Sequence, residues 1–320
     1  MSAVDAGTKE TAGAFRAQAI AFALMLAFFL VAPYFVYPVF LMKVLCFALF
    51  ACAFNLLVGY VGLLSFGHAA FMGMAAYFCG HAAKAWGLPP GVSILIGTLG
   101  ATLLGIVIGA LAIRRQGIYF AMITLALSQM VYFFCLEAKF TGGEDGIQGI
   151  PQGKLFGLIG LDKMMPLYFT VLVIFLAGFL LIYRTIHSPF GQVLKAIREN
   201  EPRAISLGYR VDQYKLLAFV LSAALAGLAG ATKSIVFQLA ALTDVHWSMS
   251  GEVVLMALVG GLGTVYGPVV GALILVTMEQ YLATLGSWVT VVQGGIFVAC
   301  VLLFRRGVVG ELARLLKTAL

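Results

Sequence analysis

Charge is what this sequence has least of. Only 10% of its 320 residues are Asp, Glu, Lys or Arg, while 62% are hydrophobic and the mean hydropathy is +1.04. A soluble domain carries about 25% charged residues, enough to cover its surface. A chain this poor in charge is excluded from that class and is expected to be a polytopic membrane protein. The catalytic signatures are missing too. There is no GxxxxGK[ST] phosphate loop, no HExxH and no GxSxG, so no nucleotide hydrolysis or metalloprotease chemistry is expected of this chain. The five cysteines, Cys46, Cys52, Cys79, Cys135 and Cys300, lie in apolar runs with no CxxC pair, which reads as packing. His68 has no ligand partner at metal spacing, and no metal or other cofactor is expected. The start, "MSAVDAGTKETAGAFRAQ", lacks a short basic region and a cleavage site. Its first apolar run is therefore expected to be a retained span.

What is present is a series of apolar runs punctuated by proline, glycine and charge. About ten spans of roughly 20 residues are expected, at 17–33, 39–58, 66–83, 91–113, 117–137, 166–186, 214–237, 245–262, 267–285 and 288–304. Pro33, Pro38, Pro89, Pro90, Pro151, Pro166, Pro189 and Pro202 fall at or between span ends, where a missing N–H matters least. The expected fold is an all-α transmembrane helical bundle. The third and eighth runs are short enough to be re-entrant. With the N-terminus inside and the spans alternating, fourteen Lys and Arg fall inside and six outside or near outer span ends, where Lys43 and Lys233 would snorkel. This asymmetry places both termini in the cytoplasm. The net charge of +7 then reflects the membrane side facing the cytoplasm and needs no nucleic acid. The chain divides into an N-terminal segment 1–16, a membrane domain 17–304 and a basic tail 305–320. Within the membrane domain, 138–165 is a long outer loop, read either as a cap or partner contact or as a plain linker, and 187–213 is a charged inner segment.

That inner segment contains "SPFGQVLKAIRENEPRAISLGY" (188–209). Ser188–Pro189 reads as a helix cap and first turn. Val193, Leu194 and Ile197 share one face, and Lys195, Arg198 and Glu199 look elsewhere. Asn200 is placed to cap a second short helix over Glu201 and Ala204, which Gly208 would end in a left-handed conformation. Two short helices on the inner face suit a groove on a soluble partner, or equally an interfacial anchor.

Polar groups at membrane depth are few: Asn55, Ser65 and His68 in a glycine-rich hairpin; Thr124, Ser128 and Gln129 in the fifth span; Glu252 in the eighth; Glu279 in the ninth. Such residues usually face the protein interior or a watery path, so all but Glu279 are candidates to line one. Helix-to-helix hydrogen bonding is the alternative. Gly105 and Gly109, and Gly263, Gly267 and Gly271, recur four residues apart, as close helix packing requires.

Four blocks, "NLLVGYVGLLSFGHAAFMGMAAY", "RRQGIYFAMITLALSQMVYFF", "GQVLKAIRENEPRAISLGY" and "SGEVVLMALVGGLGTVYGPVVGALIL", together resemble the branched-chain amino acid ABC transporter permeases of LivM type. The likeness runs from about residue 45 to about residue 304. It implies a multi-pass subunit of the bacterial inner membrane with no chemistry of its own. The implied partners are a second permease of LivH type, two ATP-binding cassette subunits that use the ATP, and a periplasmic amino-acid-binding protein. Segment 187–213 would then couple to a cassette through Lys195, Arg198, Glu199, Asn200, Glu201, Ala204 and Gly208. It departs from the permease pattern Glu-Ala-Ala-xxx-Gly: Ala204 and Gly208 match, but Pro202 and Arg203 take the first two places and Glu201 stands one early. A urea or short-amide permease would share this architecture, and an ion-coupled secondary transporter is the alternative from another class.

Overall fold

Proline and apolar residues set the frame of the bundle. In this computed structural model the described residues are 18–155, 159–161, 163–282 and 307–315, with scattered positions between 288 and 302. The segment 1–16, most of the expected tenth span with Cys300, and Arg305, Arg306 and Lys317 of the tail lie outside them. In chain order the helices are α1 (Gln18–Tyr34), α2 (Pro38–Tyr60), α3 (His68–Lys84), α4 (Pro90–Ala112), α5 (Ile118–Glu137), α6 (Met164–Ile186), α7 (Pro189–Glu199), α8 (Glu201–Ser206), α9 (Val211–Phe237), α10 (Trp247–Gly260), α11 (Gly267–Leu282) and α12 (Gly307–Leu315). Pro38, Pro90 and Pro189 each stand in a helix's first turn, where the N–H they lack has no intrahelical partner anyway. The expected spans within the described residues match helices to within a few residues.

Five of the described helices, α2, α4, α5, α6 and α9, are long and apolar enough to cross a membrane, and α1, α10 and α11 are shorter apolar helices. The protein is thus an all-α multi-pass bundle. Helix α2 is hydrophobic around its whole circumference apart from Lys43 and Asn55, so it can be buried on all sides. It sits at the centre, packed by α6, α9, α10 and α11. Helices α4 and α5 are only about a third buried and turn Leu95, Leu99, Leu103, Ile106 and Met122 outward.

Small residues bring the helices together at backbone distance. A side chain at Gly105 would meet Ala223 of α9, and one at Gly230 would run into the Met72 carbonyl of α3. Gly260 and Gly271 close α10 on α11 in the same way. Van der Waals packing of this kind replaces the hydrophobic driving force that lipid cannot supply between helices.

One end of the bundle carries α7 and α8. The other carries the long loop 138–165, which is tied down: β1 (Ile147–Gln148) pairs antiparallel with β4 (Leu239–Ala240), just beyond α9. Lys84 donates to the Gln148 carbonyl at 2.7 Å, and the Ile150 N–H donates to Gln238 at 3.1 Å. A second pairing, β2 (Lys154–Leu155) with β3 (Ile159–Gly160), lies within the loop.

Lys43 and Lys233 do not snorkel alone, as the sequence suggested. Lys43 pairs with Glu279 at 3.0 Å, and Lys233 pairs with Asp244. Both ammonium groups also face the Phe47 ring, at 5.9 and 5.3 Å. Four charges on α2, α9, α11 and the turn before α10 are thereby neutralised in place, a cheaper solution than four separate charges in hydrocarbon.

Candidate functional site

The α7–α8 segment forms as its caps dictate. The Ser188 hydroxyl accepts from the Gly191 N–H at 3.3 Å and donates to the Thr185 carbonyl at 2.6 Å. Asn200, in extended backbone, ends α7 and caps α8 by accepting from the Arg203 N–H at 3.1 Å. Gly208 then turns the chain at φ +88° with open space around it. Leu194, Ile197, Ala204 and Val211 are buried beneath the two helices, and Phe190 stacks on Tyr214. The opposite side leaves Gln192, Ala196, Glu199, Pro202 and Arg203 exposed. It also exposes two large apolar residues, Ile205 at 57% and Leu207 at 69%. A shallow cavity of about 550 Å³ runs beside α7, lined by His187, Pro189, Gln192, Val193, Ala196 and Tyr209.

The seven residues expected in this segment divide by direction. Arg198, Glu199, Asn200 and Gly208 are exposed, although the Arg198 guanidinium also reaches back to the bundle. The others address the bundle. Lys195 lies over the Tyr60 ring at 5.8 Å, and the Arg198 guanidinium donates to the Gly59 carbonyl at the end of α2. Glu201 takes the buried Lys215 ammonium at 2.6 Å and the Gln116 amide at 2.8 Å on one oxygen. Ala204 is buried.

Two stretches of non-helical backbone, 61–67 and 261–266, lie deeper in the bundle. The first gives onto α3, whose opening amides have no intrahelical acceptors. Side-chain oxygens fill the deficit. Ser65 accepts from the Gly67 N–H at 3.2 Å, Thr124 from Phe66 at 3.2 Å, and Ser250 from Ala69 at 3.0 Å. Thr124 lies six residues into α5, about 9 Å along its axis, so this helix start is well inside the bundle. Irregular backbone at such depth is stable only when protein surrounds it. His68 is fully buried among Phe54, Phe71 and Phe219. Its Nε2 is 2.8 Å from the Ser222 hydroxyl, which donates to Ala53, while its Nδ1 has no partner.

The second stretch is held by Asn55. Its amide donates to the Thr264 carbonyl at 2.9 Å, and its oxygen accepts from the Gly263 N–H at 2.9 Å. Ser128 is buried with no partner for its hydroxyl, and Gln129 is half-buried beside it. Glu252 is half-buried on α10, within electrostatic range of Lys43, Lys233, Asp244 and Glu279. The depth candidates thus form separate groups. Ser65, His68 and Thr124 meet at the start of α3, Asn55 holds the 261–266 loop, and Glu252 belongs with the charge cluster. Ser222 was absent from the sequence reading, since a lone serine in an alanine-rich run gives no signal. Among the described residues no cluster of His, Cys, Asp and Glu could hold a metal ion.

The sequence model of a family described as branched-chain amino acid transport system / permease component matches residues 36–301. The chain is 28% identical to the high-affinity branched-chain amino acid transport system permease protein LivM of Escherichia coli (strain K12) over 267 residues, 76% of this chain and 63% of that protein. It is 30% identical to the probable LivM permease of Methanocaldococcus jannaschii over 203 residues, 60% of this chain and 57% of that one. The ribose import permease protein RbsC of Bacillus subtilis (strain 168) is 29% identical over 189 residues, 56% of this chain and 58% of that protein. The chain therefore spans less than two thirds of the length of these relatives. No solved structure matches it.

Proposed function

Because this chain belongs to the family of branched-chain amino acid transport permeases, we propose that it is one membrane-spanning subunit of an ATP-driven importer for apolar amino acids. Its α7 end faces the cytoplasm of a bacterial cell and its loop end faces the periplasm. A second permease of LivH type completes the path between them. Two ATP-binding cassettes supply the energy from below, and a periplasmic binding protein delivers the amino acid from above. The chain itself performs no chemistry.

The observation that supports this reading best is the α7–α8 segment. It is capped at both helices, seated on its own small apolar core, and carries outward-facing Ile205 and Leu207 flanked by Glu199 and Arg203. Two exposed apolar side chains at the tip of an otherwise charged segment suit a groove on a soluble protein. ATP-driven closure of the cassettes would shift this segment, and the bundle would open alternately to each side. In the path we place Ser128, Gln129 and Glu252, whose polar groups are not all committed to backbone, with Asn55, Ser65, His68 and Thr124 shaping its inner half. A path with few fixed charges suits an apolar amino acid, because it would not trap the zwitterion.

Site-directed crosslinking tests the reading. A cysteine replacing Leu207 should crosslink to an ATP-binding subunit in native membranes and should do so differently with and without ATP. Crosslinks confined to lipid or to the permease itself would count against it.

A further inference from the structure

Helix α7 does not lie flush on the bundle. Beneath its last turns is a cavity of about 570 Å³, with Gln18, Tyr60, His187 and Val265 among its walls. Arg198 spans it. The guanidinium donates to the Gly59 carbonyl in the last turn of α2. Its stem lies along Gly62, where an added Cβ would stand 3.2 Å from the Arg198 Cγ, and its Nη1 faces Gly263, where an added Cβ would stand 3.4 Å away. Gly62 and Gly263 adopt φ of +82° and +78°, which glycine takes without strain. Gly59 in turn packs against the Gly263 backbone and the Asn55 side chain, and Asn55 holds Gly263 and Thr264 by two hydrogen bonds of 2.9 Å.

These contacts form a continuous chain from the inner helix to the loop between α10 and α11. That loop is short, it holds Gly261 at φ +121° and Gly263 at φ +78°, and it joins two glycine-packed helices. A hydrogen bond from a charged guanidinium to a carbonyl is directional and roughly twice as strong as a neutral one. The Lys195 ammonium over the Tyr60 ring, at 5.8 Å, is a second contact between α7 and α2 at the same cavity.

We propose that Arg198 is a positioning residue that links α7 to the 261–266 loop by way of Gly59 and Asn55 on α2, so that displacement of α7 moves this loop without first passing through α6 and α9. The proposal rests on the reading of α7 as the segment a cassette drives.

The test uses the complete importer in proteoliposomes and counts solute taken up per ATP hydrolysed. In Arg198→Ala uptake per ATP hydrolysed should fall roughly tenfold, the scale of one lost charge-assisted hydrogen bond. Arg198→Lys keeps a donor and should restore part of that loss. A wild-type ratio in Arg198→Ala overturns the proposal. A second measurement leaves Arg198 intact. Spin labels at Ala196 and Leu262 should keep one separation with and without ATP, because the linked parts move together. A separation that changes between the two states overturns the link even where the alanine variant fails to assemble. If the wild-type complex showed no cassette-dependent uptake, the functional reading would fall and the link with it.

Discussion

Removing Glu201 and removing Lys215 should have unequal effects, although the two residues share one ion pair. Lys215 is 3% exposed, and its ammonium lies 2.6 Å from the Glu201 carboxylate, which is itself 20% exposed. Glu201→Ala leaves that ammonium buried without its carboxylate. Breaking a fully buried pair costs about 3–5 kcal/mol, while an exposed pair is worth about 0–1 kcal/mol. With one partner partly wet, we expect about 2–3 kcal/mol for Glu201→Ala. Lys215→Met removes the buried charge but keeps the length of the stem. It leaves a carboxylate that still reaches water and the Gln116 amide at 2.8 Å, so we expect about 0–1 kcal/mol. The double variant should resemble Lys215→Met alone, because no stranded ammonium remains. The assay is the thermal unfolding midpoint of the purified protein in detergent for all four members of the cycle. Glu201→Ala should fall furthest, and adding Lys215→Met should recover most of the loss. Equal losses from the two single changes would refute the desolvation argument and show that the pair acts through mutual attraction.

Four further outcomes are expected. Gly230→Ala forces a methyl into the Met72 carbonyl of α3 and should destabilise the bundle by about 1–3 kcal/mol, read as a lower unfolding midpoint. Leu207→Asp touches only an exposed side chain, so the midpoint should stay within about 0.5 kcal/mol of wild type; cassette co-purification should weaken by roughly 30-fold, as for a lost hot spot. Asn55→Leu strands the Gly263 N–H and the Thr264 carbonyl and should make a cysteine placed at Leu262 react faster with a water-soluble thiol reagent. Glu252→Gln should slow uptake while leaving insertion unchanged; unaltered uptake would make Glu252 a purely structural member of the charge cluster.

Local signals carried much of this architecture. Proline at a helix's first turn placed the starts of α2, α4 and α7, and the caps Ser188, Asn200 and Gly208 act as the residue types predict. Each acts within a few residues of itself, so periodicity and propensity suffice. What escaped the sequence depends on partners far along the chain. Lys43 meets Glu279 across 236 positions, and Asn55 meets Thr264 across 209. Neither residue's neighbours in sequence mark it for that role. An amphipathic pattern says which face is polar but not which of its charges also pair within the chain, so the inward contacts of Arg198 and Glu201 were not legible in the sequence. The Arg198 guanidinium reaches the Gly59 carbonyl along the cavity beside α7, and the buried Lys215 holds Glu201. The aromatic–glycine pairs Phe66–Gly67 and Tyr266–Gly267 share one setting. Each opens a helix directly after irregular backbone held by a side chain from another helix, Thr124 in one case and Asn55 in the other.

The proposed energy source lies outside this polypeptide, and one reconstitution tests it directly. Liposomes holding this chain and its companion permease, with or without the cassettes, are loaded with ATP, and radiolabelled leucine is presented with the binding protein outside. Accumulation should occur only with both cassettes and hydrolysable ATP. Accumulation against a gradient in vesicles that hold the permeases alone would contradict the account.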